Sequence, residues 1–487
     1  MILAAIAAIA TMTAVAQPSS PARPRLVVGI VVDQMRWDYL YTYNNIWAAD
    51  GGFNRLLAGG YSCANTMIDY LPTVTACGHA SIYTGTTPAW HGIAGNNFLL
   101  DGVNVTSVTD ANAHGVGSDT KAGQVSPRNM LATTIGDQIK LATDGKAVVA
   151  GVSLKDRAAV LPAGHSADLA LWYDNKAKRF ITSDYYTDKL PQWVTDFNRD
   201  NKAALATNLW DEPQGTTMTT QLAIAALNNL QMGRDDVTDL LAVSYSTTDA
   251  CAHNHGIRTD SVNAIYRQLD RELATLLDAL DSRVGKGNYL LFLTADHGGT
   301  YNINTMQERN LPGYRTSTSA IRRRANEALQ RKFGIENLIK TNFQYSFYLD
   351  NDAIRAADLD RDDVAAEACR ALMREPLVQW AVDIENINAS YLPAELRERI
   401  AKGYARDRSG DIHVILRPLA YTGAPGHPGS AHGTFTQSDS HIPLVFYGWG
   451  ITAGETTRLT HMTDIAPTVC ALLHMQAPNC TIGQPIF

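Results

Sequence analysis

Four apolar runs of strand length each lead into a side chain that can bind a metal ion or a phosphate. Leu26–Val32 leads into Asp33, residues 147–154 into Lys155, residues 240–246 into Asp249, and Tyr289–Thr294 into Asp296 and His297. Unbroken apolar runs rich in β-branched residues belong to strands covered on both faces, as in a parallel sheet. The segment 261–280 carries apolar residues at helical spacing and reads as one of the covering helices. The pattern predicts an α/β fold with a largely parallel central sheet flanked by helices. In such a sheet ligands bind beyond the carboxyl ends of the strands, so the four termini are expected to meet in one site.

The strand–helix rhythm breaks between residues 301 and 425, a tract richer in arginine, and returns at 442–447. We read 26–487 as one catalytic domain and 301–425 as an inserted subdomain near the mouth of the site. Arg322, Arg323 and Arg324 within it are expected on a solvated helix face. Ahead of the first strand, residues 1–16 are almost wholly apolar and end in Ala14-Val15-Ala16, the pattern of a cleavable export signal, with 17–25 as an extended lead-in. Sixteen residues are too few to span a bilayer, and no later run is long enough. This predicts a periplasmic or secreted protein without a membrane span. Export permits disulfides. Of the six cysteines, Cys470 with Cys480 is the favoured pair because it closes a short loop containing Pro478, and Cys63 with Cys77 the second.

Composition matters at one point. Lys and Arg total 41 against 48 Asp and Glu, a net charge of −7, which gives no reason to expect nucleic acid as a partner. An anionic substrate would therefore need positive charge concentrated at its own site.

The residues offer that concentration through metal ions. Asp249 and His253 are four apart, Asp296 and His297 are adjacent, and His432 lies in the loop Gly429-Ser430-Ala431-His432-Gly433. Mixed carboxylate and imidazole donors suit Zn²⁺ better than Mg²⁺ or Ca²⁺. The segment Pro72-Thr73-Val74-Thr75 precedes a helix start, where backbone N–H groups favour anions, and supplies a hydroxyl nucleophile.

Asp33, Pro72-Thr73-Val74-Thr75, His91-Gly92-Ile93-Ala94-Gly95-Asn96, Asp249-x-x-x-His253, Asp296-His297-Gly298-Gly299 and His432-Gly433 occur in the order found in the alkaline phosphatase superfamily. The chain resembles its nucleotide pyrophosphatase/phosphodiesterase branch, and within it the phosphate-irrepressible bacterial alkaline phosphatases. The resemblance implies an alkaline-phosphatase-like sheet. It also implies two Zn²⁺, one held by Asp249, His253 and His432, the other by Asp33, Asp296, His297 and Thr75. Thr75 rather than Thr73 matches the family nucleophile, because the family's nucleophile stands as far ahead of its site Asn as Thr75 stands ahead of Asn96.

Lys155 and Arg157 follow the second apolar run, and two cations beyond the metals suit a monoester dianion, with three free oxygens, better than a diester. A Lys-x-Arg element at this place resembles the monoesterases of the branch. The expected activity is hydrolysis of small phosphate monoesters through a phosphothreonine at Thr75, with Asn96, Lys155 and Arg157 binding the phosphoryl oxygens. A phosphodiesterase or nucleotide pyrophosphatase using the same residues is the alternative, and a non-catalytic secreted binding protein a remote one. A sulfatase does not fit, since Cys77 lacks the Pro and Arg of that motif.

Overall fold

The computed structural model describes residues 23–424 and 426–487, so the expected export signal at 1–16 lies outside the described residues. Ten strands form one sheet: β1 (Leu26–Val32), β2 (Tyr61–Cys63), β3 (Gly115–Val116), β4 (Val149–Ser153), β5 (Leu169–Asp174), β6 (Arg179–Ser183), β7 (Asp239–Tyr245), β8 (Tyr289–Thr294), and later in the chain Leu444–Gly448 and Gly454–Thr456. The strands β8-β1-β7-β4-β5 are neighbours in that order and all parallel. Every residue of β1, β4, β5, β7 and β8 is buried, as unbroken apolar runs require. The flanking pairs, β8 with Leu444–Gly448 on one side and β5 with β6 on the other, are antiparallel.

Register explains why the termini meet. Val31 of β1 lies opposite Ser244 of β7 and Thr294 of β8. Asp33 and Asp296, each two residues further along, therefore leave the sheet side by side.

Helices cover both faces. The helices that matter for the site are α1 (Thr75–Thr84), α2 (Asp156–Ala163), α3 (Gln214–Asn229), α4 (Thr247–His255) and α5 (Asp260–Leu280). The α5 helix coincides with the amphipathic segment read from the sequence, capped by the Thr259 side chain accepting from the Val262 N–H. It buries Val262, Ile265, Leu269, Leu273, Leu276 and Leu280 at helical spacing, each worth about 2 kcal/mol of apolar burial. Among the described residues no helix is long and apolar enough to cross a membrane.

The tract after residue 301 builds a second sheet of four antiparallel strands, β9 (Ile339–Phe343), β10 (Ser346–Leu349), β11 (Val378–Asp383) and β12 (Ile412–Leu416), in the order β9-β10-β12-β11. Helices α6 (Thr318–Phe333) and α7 (Arg361–Met373) pack on it around a separate apolar cluster that includes Ile321, Leu329, Phe347 and Leu372. The arginine triplet lies in α6, where Arg324 pairs with Glu375 and Arg323 with Glu327.

Three expectations change. Lys155, Arg157 and Asp249 do not continue their strands: β4 stops at Ser153 and β7 at Tyr245, and the chain turns into α2 and α4, so these side chains stand on the first helical turns. The strand expected at 442–447 is divided between a short bridge at His441–Ile442 and Leu444–Gly448. The disulfides Cys470–Cys480 and Cys63–Cys77 are absent, and all six cysteines are free. Cys63 ends β2, paired with Thr456 in the main sheet, whereas Cys77 lies in α1 and donates its S–H to the Ile93 carbonyl at 3.1 Å. Burial pushes the thiols of Cys63 and Cys470 up to about 12, which favours the protonated form. An even number of cysteines carries no information about distance.

Candidate active site

Asp33, Asp296 and His297 come directly from the ends of β1 and β8, and all three side chains are fully buried. His297 Nε2 lies 3.6 Å from Asp33 Oδ1 and 3.5 Å from Asp296 Oδ2. Among the described residues none of these three atoms has a hydrogen-bond partner. Buried polar atoms are ordinarily satisfied, so these orphans, two carboxylate oxygens beside one imidazole nitrogen, suit a cation. His297 Nδ1 is 2.8 Å from its neighbour's carbonyl at Gly298, which leaves Nε2 to face the carboxylates.

The second set joins a helix to a loop. Asp249 and His253 share a face of α4, with His253 Nε2 3.1 Å from Asp249 Oδ1. His432 completes it at 3.2 Å from His253 Nε2 and 3.8 Å from Asp249 Oδ1. Both imidazoles are aimed in the same manner as His297: His253 Nδ1 meets the Ser430 carbonyl at 3.0 Å and His432 Nδ1 the Thr73 carbonyl at 2.9 Å. Gly429 makes this arrangement possible, since a Cβ there would stand 1.6 Å from the His253 carbonyl oxygen. The rings of His297 and His432 stack at 3.8 Å, so the two sets adjoin. Ligand atoms of Asp33, Asp249 and His297 also fall within 4.8 Å of one another, which puts Asp249 within reach of both sets.

Thr75 is the first residue of α1 and is buried. The Ala76 N–H donates to Asn96 Oδ1 at 2.9 Å, which orients the Asn96 amide beside the start of α1. Gly78 lets α1 lie on the end of β8, because a Cβ there would approach the Asp296 carbonyl oxygen to 2.2 Å. Lys155 is buried at the junction of the two sets, its ammonium donating to Asp33 Oδ2 at 2.5 Å and Asp249 Oδ2 at 2.6 Å. Arg157, on the first turn of α2, is a quarter exposed, with its Nε unpartnered among the described residues. Asn96 also borders a cavity of about 470 Å³ whose other walls include Arg322, Phe343 and Tyr348 from the second sheet and α6.

The donors fit divalent cations. Three buried carboxylates, Asp33, Asp249 and Asp296, against buried Lys155 leave negative charge unbalanced in a buried space, which is costly without further positive charge. Burial, with Asp296 close by, pushes the Asp33 carboxyl well up against the pull of Lys155. Asp249 is pushed up by burial too, yet His253 and Lys155 hold it well below the usual carboxylate range. Burial, with His297 and His253 adjacent, holds His432 well below its usual value, in the neutral form a metal requires.

All the expected residues except Arg157 are thus gathered within direct contact of one another or of their immediate supports. Two supports were not anticipated. Gln34 holds a left-handed backbone, its N–H donates to Asp296 Oδ1 at 3.1 Å, and its amide donates to Asp249 Oδ1 at 2.8 Å, tying the sets together. His79 Nδ1 lies 2.9 Å from the Thr75 carbonyl and 3.4 Å from Asp296 Oδ2, linking the start of α1 to the end of β8. A His one turn after the nucleophile was the only signal for the second; nothing in sequence marked the first.

Residues 27–436 match the family described as type I phosphodiesterase / nucleotide pyrophosphatase. A Myroides odoratus protein named calcium-transporting ATPase is 42% identical, with 95% of this chain and 94% of that one aligned. Alkaline phosphatase PafA of Elizabethkingia meningoseptica is 41% identical over 95% of this chain and 94% of its own. The crystal structure of wild-type PafA superposes with a TM-score of 0.92 at 40% identity, covering 96% of this chain and 99% of that one. With its family motif spanning most of its length and full-length relatives at this identity, the chain belongs to the type I phosphodiesterase / nucleotide pyrophosphatase family.

Proposed function

We propose that this chain is an exported alkaline phosphatase, periplasmic or secreted, that hydrolyses small phosphate monoesters through a phosphothreonine at Thr75. Both relatives' names, an alkaline phosphatase and an ATPase, describe hydrolysis of a phosphoryl group. The observation that carries the choice of monoesters is Lys155, a buried ammonium between Asp33 and Asp249, with Arg157 two residues further along at the start of α2.

The two histidine–carboxylate sets would each hold one divalent cation, Zn²⁺ by donor chemistry, supplying the Lewis acidity that lowers the Thr75 hydroxyl pKa and offsets charge on the leaving oxygen. Asn96, Lys155 and Arg157 bind the three non-bridging phosphoryl oxygens and fix phosphorus in line with Thr75 Oγ. The Thr75 Oγ–P bond forms as the ester O–P bond breaks, and the alcohol departs. Water then forms a bond to phosphorus, the Thr75 O–P bond breaks, and inorganic phosphate leaves. The leaving group lies toward the cavity bounded by Arg322 and Tyr348, so the tract 301–425 shapes the mouth of the site.

A diesterase would use the same ligands and the same threonine, and the family description includes that chemistry. The two are separated by comparing kcat/KM for an aryl phosphate and its methyl ester. Preference for the monoester is expected, narrowing by about 10²-fold in the Lys155→Ala, Arg157→Ala double variant. A native preference for the methyl ester overturns the reading.

A further inference from the structure

The α4 helix carries two pairs of metal-binding side chains, not one. Its sequence Asp249-Ala250-Cys251-Ala252-His253-Asn254-His255 places Asp249 and His253 four apart on one face, and Cys251 and His255 four apart on another. A shift of two residues turns a helix by about 200°, so the second pair looks away from the active site. It looks toward Asp211, in the loop that leads into α3. His255 Nε2 lies 3.0 Å from Asp211 Oδ2, and ligand atoms of Asp211, Cys251 and His255 all fall within 4.8 Å of one another. Asp211 Oδ1 is buried without a hydrogen-bond partner.

We infer that Asp211, Cys251 and His255 form a separate metal site on the rear face of α4, suited to Zn²⁺. One thiolate, one imidazole and one carboxylate form a borderline-soft donor set that zinc accepts and that Mg²⁺ or Ca²⁺ does not. Tetrahedral zinc with bonds of about 2.0–2.3 Å sets its donors about 3.3–3.8 Å apart, and the trio's ligand atoms all lie within 4.8 Å of one another. Thiolate and carboxylate together neutralise the ion. Cys251 is fully buried, while the side chains of His255 and Asp211 are 40% and 19% exposed, which gives the ion an entry path and leaves the fourth position to water. The Thr247 hydroxyl already donates to the Leu209 carbonyl at 3.0 Å, holding the start of α4 to the same loop. A cation at the far end would add a second tie between α4 and that loop.

Cobalt substitution of the full chain tests this independently of catalysis, because both active-site sets offer only nitrogen and oxygen. The cobalt-loaded protein should show a sulfur-to-metal charge-transfer band in the near ultraviolet. In Cys251→Ser the band should disappear and bound metal fall by one ion per chain, with aryl phosphate hydrolysis kept within a few-fold. His255→Asn, at a half-exposed position that circular dichroism can confirm as folded, should lose the same ion if Cys251→Ser fails to fold. No band in the native protein while cobalt fills the other sets overturns the inference, as does a band that survives Cys251→Ser. Absence of phosphatase activity in the native metal-loaded protein, with the band present, would instead overturn the monoesterase reading and leave this site standing.

Discussion

The two ligand sets of the active site are assembled in opposite ways. Asp33, Asp296 and His297 stand on the ends of adjacent parallel strands, fully buried, and their positions follow from sheet register. Asp249, His253 and His432 join a helix to a glycine-rich loop, and the His253 side chain is 41% exposed. The strand-end set is therefore fixed by the core itself, whereas the helix-and-loop set depends on contacts that can be loosened one at a time.

That contrast can be broken by substitution. Asp296→Asn should lower kcat/KM by on the order of 10⁴, the loss of several kcal/mol of charge stabilisation at a site water cannot enter. His253→Ala should cost less, about 10²–10³-fold, because solvent reaches that ligand position and can take its place. Steady-state kinetics with metal analysis checks both, and a reversed order would contradict the contrast. The two glycines sharpen it. Gly78→Ala presses a Cβ on the Asp296 backbone inside the core and should destabilise the fold by about 1–3 kcal/mol. Gly429→Ala meets the His253 carbonyl from a loop rather than a core helix, so thermal melts should fall less while activity still drops through displaced His432. The smallest effect is kinetic: on brief chelation at neutral pH, one metal ion should leave about tenfold faster than the other, and His253→Ala should speed only that faster phase.

The same contrast decides what could be read from sequence. Asp33, Asp296 and His297 were legible because an apolar run announces a strand and the residue after it announces the sheet edge. Asp249 and His253 were legible by their helical spacing, although the strand was read as extending too far and the turn into α4 was missed. Lys155 was expected to face a phosphate. The fold also gives it Asp33 and Asp249 as partners, which spacing along the chain could not show because they arrive from residues 122 and 94 positions away. Gln34 escaped notice for a similar reason: its backbone conformation and its two acceptors exist only once β1, β8 and α4 are together. The cysteine pairs failed because they were argued from parity and loop length, while Cys63 and Cys77 belong to different layers. The second sheet was visible only as an interruption, since its strands are short and its helices carry surface arginines that form ion pairs with Glu327 and Glu375.

The central claim is that Thr75 carries the phosphoryl group between the two ligand sets. The most direct test is to quench the metal-loaded enzyme with acid during turnover of an aryl phosphate and to map phosphorylated peptides by mass spectrometry. The account predicts one phosphoryl group on the peptide containing Thr75, absent from Thr75→Ala, which should also lose turnover. Full activity in Thr75→Ala, or a phosphoryl group trapped at any other residue, would contradict it.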